Sequence, residues 1–172
     1  QPDPDQARSW FVDVQLEVAG DCPSQGPASQ TVLVIDTSRS MGFDGSWDMV
    51  RALLLDLLPE LSGADAELAL VGFGSGASLL QPLTRDVDAL RGALLALEPR
   101  GDTRLSAGLE LARQELEGPR GRRASRRNIV MITDGMVKDD PGVLAADLRR
   151  AGLGLYALLF TTSAFEWERQ DQ

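Results

Sequence analysis

Val32-Leu33-Val34-Ile35-Asp36-Thr37-Ser38-Arg39-Ser40-Met41 is the stretch whose reading decides the fold. It begins as an unbroken run of β-branched and aliphatic residues, the pattern of a strand buried on both faces inside a parallel sheet. At Asp36 the character changes, and Asp36, Ser38 and Ser40 place oxygen-bearing side chains at alternate positions. A carboxylate and two hydroxyls just past the carboxyl end of a buried strand lie where open α/β sheets hold their ligands. Hard oxygen donors of this kind suit a hard cation such as Mg2+. The same residues also read as a helix cap with turn hydrogen bonds, so the rest of the chain has to decide.

Downstream, Ser46 stands where it can cap a helix whose apolar positions Val50, Leu53, Leu54, Leu57 and Leu58 fall at helical spacing, with Pro59 as its end. Ala66 to Phe73 is a second apolar strand, and Gly74-Ser75-Gly76 turns it into a short return strand, Ala77 to Gln81. The spacing Gly72-x-Gly74-x-Gly76 resembles a dinucleotide loop only superficially, because a strand-like run follows where a helix should start. Asp86 opens a helix with Val87, Leu90, Leu94 and Leu97 on one face, ending at Pro99. Arg100-Gly101-Asp102-Thr103 then leads into a helix carrying Leu105, Leu109, Ala112 and Leu116. Its Arg-Gly-Asp is also the tripeptide that integrins bind, but a loop entering a helix explains it without that role. The stretch Arg120 to Arg127 holds five arginines; with no interleaved aromatics it reads as a solvated loop and not as a nucleic-acid site.

Asn128 to Thr133 is another continuous apolar strand, and it too ends in a carboxylate, Asp134, followed by Gly135. Asp140-Pro141 starts a helix with Leu144 and Leu148 facing in and Gly152 at its end, and Gly154 to Phe160 is a last strand. At the other end of the chain, Phe11 to Val18 alternates strictly, with Val12, Val14, Leu16 and Val18 on one side, as a half-buried edge strand does. Residues 19 to 30 are a connection, and Cys22 within it reads as a free thiol. The order is that of an α/β, Rossmann-like doubly wound domain, with a mostly parallel central sheet, one antiparallel edge strand, helices on both faces and an extra N-terminal strand.

Composition narrows the function. The 172 residues, 43% hydrophobic, suffice for one domain with a core. A net charge of -9 disfavours nucleic acid and anionic membrane surfaces and favours cations. The absence of histidine removes the usual general base and imidazole-bound zinc, and a single cysteine allows no internal disulfide or thiolate cage. No apolar run is long enough to span a bilayer. The missing initial Met marks either a processed chain or a piece of something longer.

With these elements in order, the chain resembles a von Willebrand factor type A domain of bacterial kind. Asp36-Thr37-Ser38-Arg39-Ser40 matches the family's D-x-S-x-S loop, Thr103 after Gly101-Asp102 its second-loop threonine, and Thr133-Asp134-Gly135 its third-loop aspartate. The match covers roughly residues 31 to 161, within a domain taken as 31–172 after an N-terminal extension, 1–30. The resemblance implies a metal-ion-dependent adhesion site. In it Ser38 and Ser40 bind Mg2+ directly, with Mn2+ or Ca2+ as alternatives; Thr103 binds directly or through water, and Asp36 and Asp134 mostly act through bridging waters. Arg39 and Asp102 replace glycines common in the family at positions that are not ligands. The family's final strand and helix have little room in Thr161 to Gln172, where only a short turn around Phe165 and Trp167 fits. The strand at 11–18 could fill the sheet edge left open.

The expected function is a non-enzymatic, divalent-cation-dependent protein-binding module that engages an acidic side chain of a partner. It would be part of a larger protein, extracellular or at the cell surface. The rival reading is a cytoplasmic subunit partnering an AAA-type ATPase in a chelatase- or chaperone-like system. An independent hydrolase lacks a visible base, nucleophile pair or nucleotide loop.

Overall fold

The computed structural model describes residues 28–42, 45–136 and 138–160. The expected strand at 11–18, Cys22 and the segment Thr161 to Gln172 lie outside the described residues. The elements are β1 (Ser29–Asp36), a 3-10 turn (Arg39–Gly42), α1 (Ser46–Leu61), β2 (Ala66–Phe73), β3 (Ala77–Thr84), α2 (Val87–Leu95), α3 (Leu105–Glu117), β4 (Arg126–Thr133), α4 (Gly142–Arg150) and β5 (Gly154–Leu159).

Among the described residues the strands form a five-stranded sheet in the order β3-β2-β1-β4-β5. β1 pairs in parallel with β2 and with β4, β4 pairs in parallel with β5, and only the edge strand β3 runs antiparallel, along β2. The continuous apolar run of β1 follows from this placement. Its even residues Val32 and Val34 enter one core with Leu109, Ala112 and Leu116 of α3 and Leu148 of α4. Its odd residues Leu33 and Ile35 enter the other with Val50, Leu54 and Leu58 of α1 and Leu90 and Leu94 of α2. A strand with a core on each face has no position left for a polar residue until it reaches its end. Helix α3 sits close to the sheet because Gly108 has no side chain. A Cβ there would stand 2.8 Å from a Val34 methyl and 3.0 Å from the Phe73 Cβ.

Four local expectations need correction, one of them the end of α2, which stops at Leu95 and not at Pro99, so that Leu97 follows the helix. Ser46 does not cap α1: it is the first helical residue, and the cap position is Gly45, whose φ of 72° turns the chain in the left-handed region that glycine tolerates. Pro59 does not end α1, which runs on to Leu61. It falls in the last turn, where a missing N–H removes one bond, and Ser62 N–H still closes on the Leu58 carbonyl at 3.0 Å. β3 continues past Gln81 to Thr84 and contains Pro82. An edge strand tolerates a proline because one row of its backbone groups has no sheet partner, and the pairing with β2 shifts register on either side of Leu70.

Because β1 goes on to β2 on one side and is flanked by β4 on the other, the strand order reverses beside β1. The crevice at the carboxyl ends of β1 and β4 is therefore the switch point at which open sheets accept ligands.

Candidate functional site

Asp36, the last residue of β1, is fully buried. Its Oδ1 accepts the Ser38 N–H at 2.8 Å and its Oδ2 accepts the Thr133 hydroxyl at 2.7 Å. Thr133 ends β4 and also accepts the Gly135 N–H at 3.1 Å, so one carboxylate ties the ends of the two central strands together. Burial pushes the Asp36 carboxyl above the ordinary 3.8; bonds from Ser38 and Thr133 pull it down, and the neighbouring Asp134 charge adds to the rise. Among the described residues no basic side chain is among the groups acting on it.

Beyond Asp36 the chain enters the 3-10 turn, and the hydroxyls of buried Ser38 and half-buried Ser40 meet at 2.9 Å. The second loop, residues 100–104, is fastened to the first through backbone. Arg100 N–H donates to the Thr37 carbonyl at 2.5 Å, and Arg39 N–H to the Gly101 carbonyl at 3.2 Å. It is fastened to the β2–β3 turn as well, by Arg104 N–H on the Gly74 carbonyl at 2.9 Å and Asp102 N–H on the Ser75 hydroxyl at 3.0 Å. Two glycines permit this approach. Gly101 has a φ of 91°, and a Cβ on Gly74 would stand 2.9 Å from the Arg100 carbonyl oxygen. Thr103 is thereby held buried at the same end of the sheet, and its carbonyl accepts the Lys138 N–H at 3.1 Å. Half-buried Asp134 opens the third loop, with Oδ1 accepting Met136 N–H at 3.0 Å.

All five residues singled out in the sequence thus lie at the carboxyl end of β1 or on the loops at that end of the sheet. Among the described residues, direct side-chain bonds run within the Asp36, Ser38, Ser40 and Thr133 group, whereas Thr103 is brought in by backbone bonds. Two contributors escaped the sequence reading. Thr133 was visible as part of Thr-Asp-Gly, but its bond to Asp36 spans 97 residues. Asp139 accepts the Leu105 N–H from 34 residues away and had no local signal.

Among the described residues no three His, Cys, Asp or Glu side chains gather as a metal cluster, so any ion here would rest mainly on hydroxyls. The donor set fits one. Oxygens in adjacent octahedral positions around Mg2+, at 2.0–2.1 Å from it, are about 2.9 Å apart, the separation of the Ser38 and Ser40 hydroxyls. Beside the cluster a groove of about 600 Å3 is lined by Thr37, Gly74, Ser75, Leu80, Leu97 and Arg100. A second depression, around Gly118, Gly121, Arg123 and Arg127, flanks the end of α3 and the start of β4, away from these loops.

An open, mostly parallel α/β sheet with hydroxyl and carboxylate side chains gathered where β1 and β4 end defines a class of ligand-binding doubly wound domains. Within that class, the family model of the von Willebrand factor type A domain matches residues 31–136, and the chain belongs to this family. Comparison with curated proteins gives no match. Among solved structures it resembles BatB from Bacteroides thetaiotaomicron, with 18% identity and a TM-score of 0.67 over 76% of this chain and 66% of that one. It also resembles the SpRpn10 VWA domain, with 18% identity and a TM-score of 0.66 over 80% of this chain and 77% of that one. A third likeness is to proximal thread matrix protein 1 of the mussel byssus with a zinc-occupied MIDAS motif, with 23% identity and a TM-score of 0.66 over 76% and 35% of the two chains. At such identities the likeness is one of fold. The chain spans just under two thirds of BatB's length and about a third of the mussel protein's. No helix among the described residues is long and apolar enough to cross a membrane.

Proposed function

We propose that this domain is an adhesion-type protein-binding module that depends on a divalent cation held by Asp36, Ser38, Ser40, Thr103 and Asp134. Mg2+ is the preferred ion, with Mn2+ or Ca2+ as alternatives. The observation that carries the reading is Asp36: a fully buried carboxylate whose partners among the described residues are a hydroxyl, a backbone N–H and a like charge, with no cation. An isolated buried charge is strongly unfavourable, and a divalent ion beside it would reverse that penalty. The zinc-occupied site of the mussel protein supports the reading by analogy of fold.

Ser38 and Ser40 would offer hydroxyl oxygens directly, while Asp36 fixes the Ser38 backbone and orients the loop. With few formal negative charges close by, the bound ion keeps positive charge toward solvent, and an acidic side chain of a partner would complete its coordination. Exposed Arg39, Arg100 and Arg104 rim the loops and would favour such a partner through charge complementarity.

The test is calorimetry and thermal melting of the chain in millimolar Mg2+ and in chelator, for the parent and for Asp36→Ala and Ser38→Ala. Binding heat and a raised melting temperature in the parent, lost in both variants, are expected. Equal melting in Mg2+ and chelator, with no heat, overturns the metal. The partner arm is binding to candidate proteins with Mg2+, with chelator and with Thr103→Ala; binding undiminished in all three leaves the loops with a structural role only.

A further inference from the structure

Asp139 is outside the five site positions, yet its carboxylate ties the third loop to the first turn of α3, directly after the second loop. Oδ1 accepts the Leu105 N–H at 2.9 Å, and Oδ2 accepts the Ser106 N–H at 2.9 Å together with the Ser106 hydroxyl. These are the first N–H groups of α3, which have no partner within the helix. The cap position is Arg104, whose side chain makes no capping bond. A capping carboxylate usually comes from the residue just before the helix; here it arrives from the loop after β4, and it also meets the positive end of the helix dipole.

The bond that finishes α3 therefore also sets the spacing between the second and third loops. Its neighbour Lys138 adds a backbone bond, its N–H on the Thr103 carbonyl at 3.1 Å, while its Nζ lies 2.7 Å from Asp102 Oδ1 in an exposed pair. Residues 138 and 139 thus hold Asp102, Thr103, Leu105 and Ser106 from the side of the loop that Asp134 opens.

We infer that Asp139 is a positioning residue that fixes the Thr103 hydroxyl relative to Asp134, so that metal affinity depends on a carboxylate that does not touch the metal. The inference rests on the metal reading above. A mere helix cap would stabilise α3 without any effect on affinity, and the two roles separate experimentally.

The experiment titrates Mg2+ by calorimetry, well below the melting temperature of every variant and up to high millimolar concentration. It uses the parent, Asp139→Asn, Thr103→Ala, the double variant and Ser106→Ala, with melting in chelator recorded in parallel. Asp139→Asn should weaken Mg2+ binding about tenfold or more, the usual effect of losing a partner behind the ligands, and should add almost nothing in the Thr103→Ala background. Ser106→Ala, which removes only the hydroxyl bond, should show a smaller loss in the same direction. A lowered melting temperature with unchanged Mg2+ affinity makes Asp139 a cap and overturns the inference. An equal affinity loss with and without Thr103 overturns it too, since the effect then does not pass through that residue. Absence of heat in the parent itself is the separate signature that the metal reading has failed, and the inference falls with it.

Discussion

Asp36 and Glu115 are both buried carboxylates, and they are held in opposite ways. Glu115, on α3, is 5% exposed. The Arg120 guanidinium grips it with two bonds, at 2.7 and 2.6 Å, and the Leu83 N–H adds a third at 2.9 Å. The Arg120 bond outweighs burial and holds the Glu115 carboxyl below the ordinary 4.5. Asp36 is 0% exposed, has among the described residues only neutral donors and Asp134 beside it, and is pushed up. Both groups carry a desolvation penalty, the leading influence on Asp36 and the second on Glu115; among the described residues only Glu115 of the two has a cation beside it. Glu115 is a completed joint between α3, β3 and the arginine-rich loop, whereas Asp36 joins the ends of β1 and β4 through neutral donors.

The arginine-rich loop confirms the contrast. Arg122 reaches Glu67 at 2.7 Å, its N–H donates to the Gln30 side chain at 2.6 Å, and Gln30 donates to the Arg120 carbonyl at 2.8 Å. Two of its arginines are fastened to carboxylates of their own chain, which suits a loop tied across the sheet better than a site for polyanions.

The largest expected effect follows from removing the Asp36 charge. Asp36→Asn should abolish the Mg2+-induced rise in melting temperature, worth about 2.7 kcal/mol at a hundredfold excess over Kd. In chelator it should leave stability unchanged or raised, because the amide oxygen still accepts the Ser38 N–H and its NH2 can donate to the Thr133 hydroxyl, with no buried charge. A large loss of stability in chelator would show that the charge is already satisfied, and the comparison with Glu115 would collapse.

Glu115→Gln should behave in the reverse manner, losing about 2 kcal/mol with or without Mg2+, since one partner of a charged pair is left behind while half-exposed Arg120 regains water. Denaturant melts in both buffers measure it, and a Mg2+-dependent loss would break the assignment.

The pH dependence has opposite signs at the two sites. Glu115 has a lowered native pKa, so its contribution is complete above about pH 4.5 and is lost as pH falls through the lowered value. The gap between parent and Glu115→Gln should narrow on acidification. Asp36 has a raised native pKa, so in chelator the parent is at its best relative to Asp36→Asn below the ordinary aspartate value of 3.8. That advantage disappears as pH rises through the raised value. Parallel curves for the two variants would refute the contrast.

Much of this was legible in the sequence, for a definable reason. β1 and β4 each carry a continuous or nearly continuous apolar run because they sit between two cores, and that signal needs no knowledge of partners. The three site loops were legible because each is a short motif beside a strand or helix end. What was hidden is long-range. The Thr133–Asp36 bond, the Asp139 clasp and the Glu115–Arg120 fork depend on which loops the topology brings together, and whether Asp36 has a cation cannot be read from its own neighbours in sequence. The local misreadings at Ser46 and Pro59 have another cause. Residue preferences at helix ends are weak beside the packing of Trp47, Val50, Leu54 and Leu58 into the core.

The smallest expected effect is also the sharpest control on the third loop. Lys138 makes two contacts of different kind: its backbone N–H bonds the Thr103 carbonyl, and its Nζ pairs with Asp102 in the open, the two side chains 64% and 61% exposed. An exposed pair is screened by solvent and salt and adds little, although Lys138 does hold the Asp102 carboxyl below its ordinary value. Lys138→Met deletes that pair and keeps the backbone bond. Its melting temperature and Mg2+ affinity should match the parent within error, at low and at high salt. If instead Lys138→Met weakens Mg2+ binding as much as Asp139→Asn does, the third loop acts on the site through its surface charge and not through the half-buried Asp139 clasp.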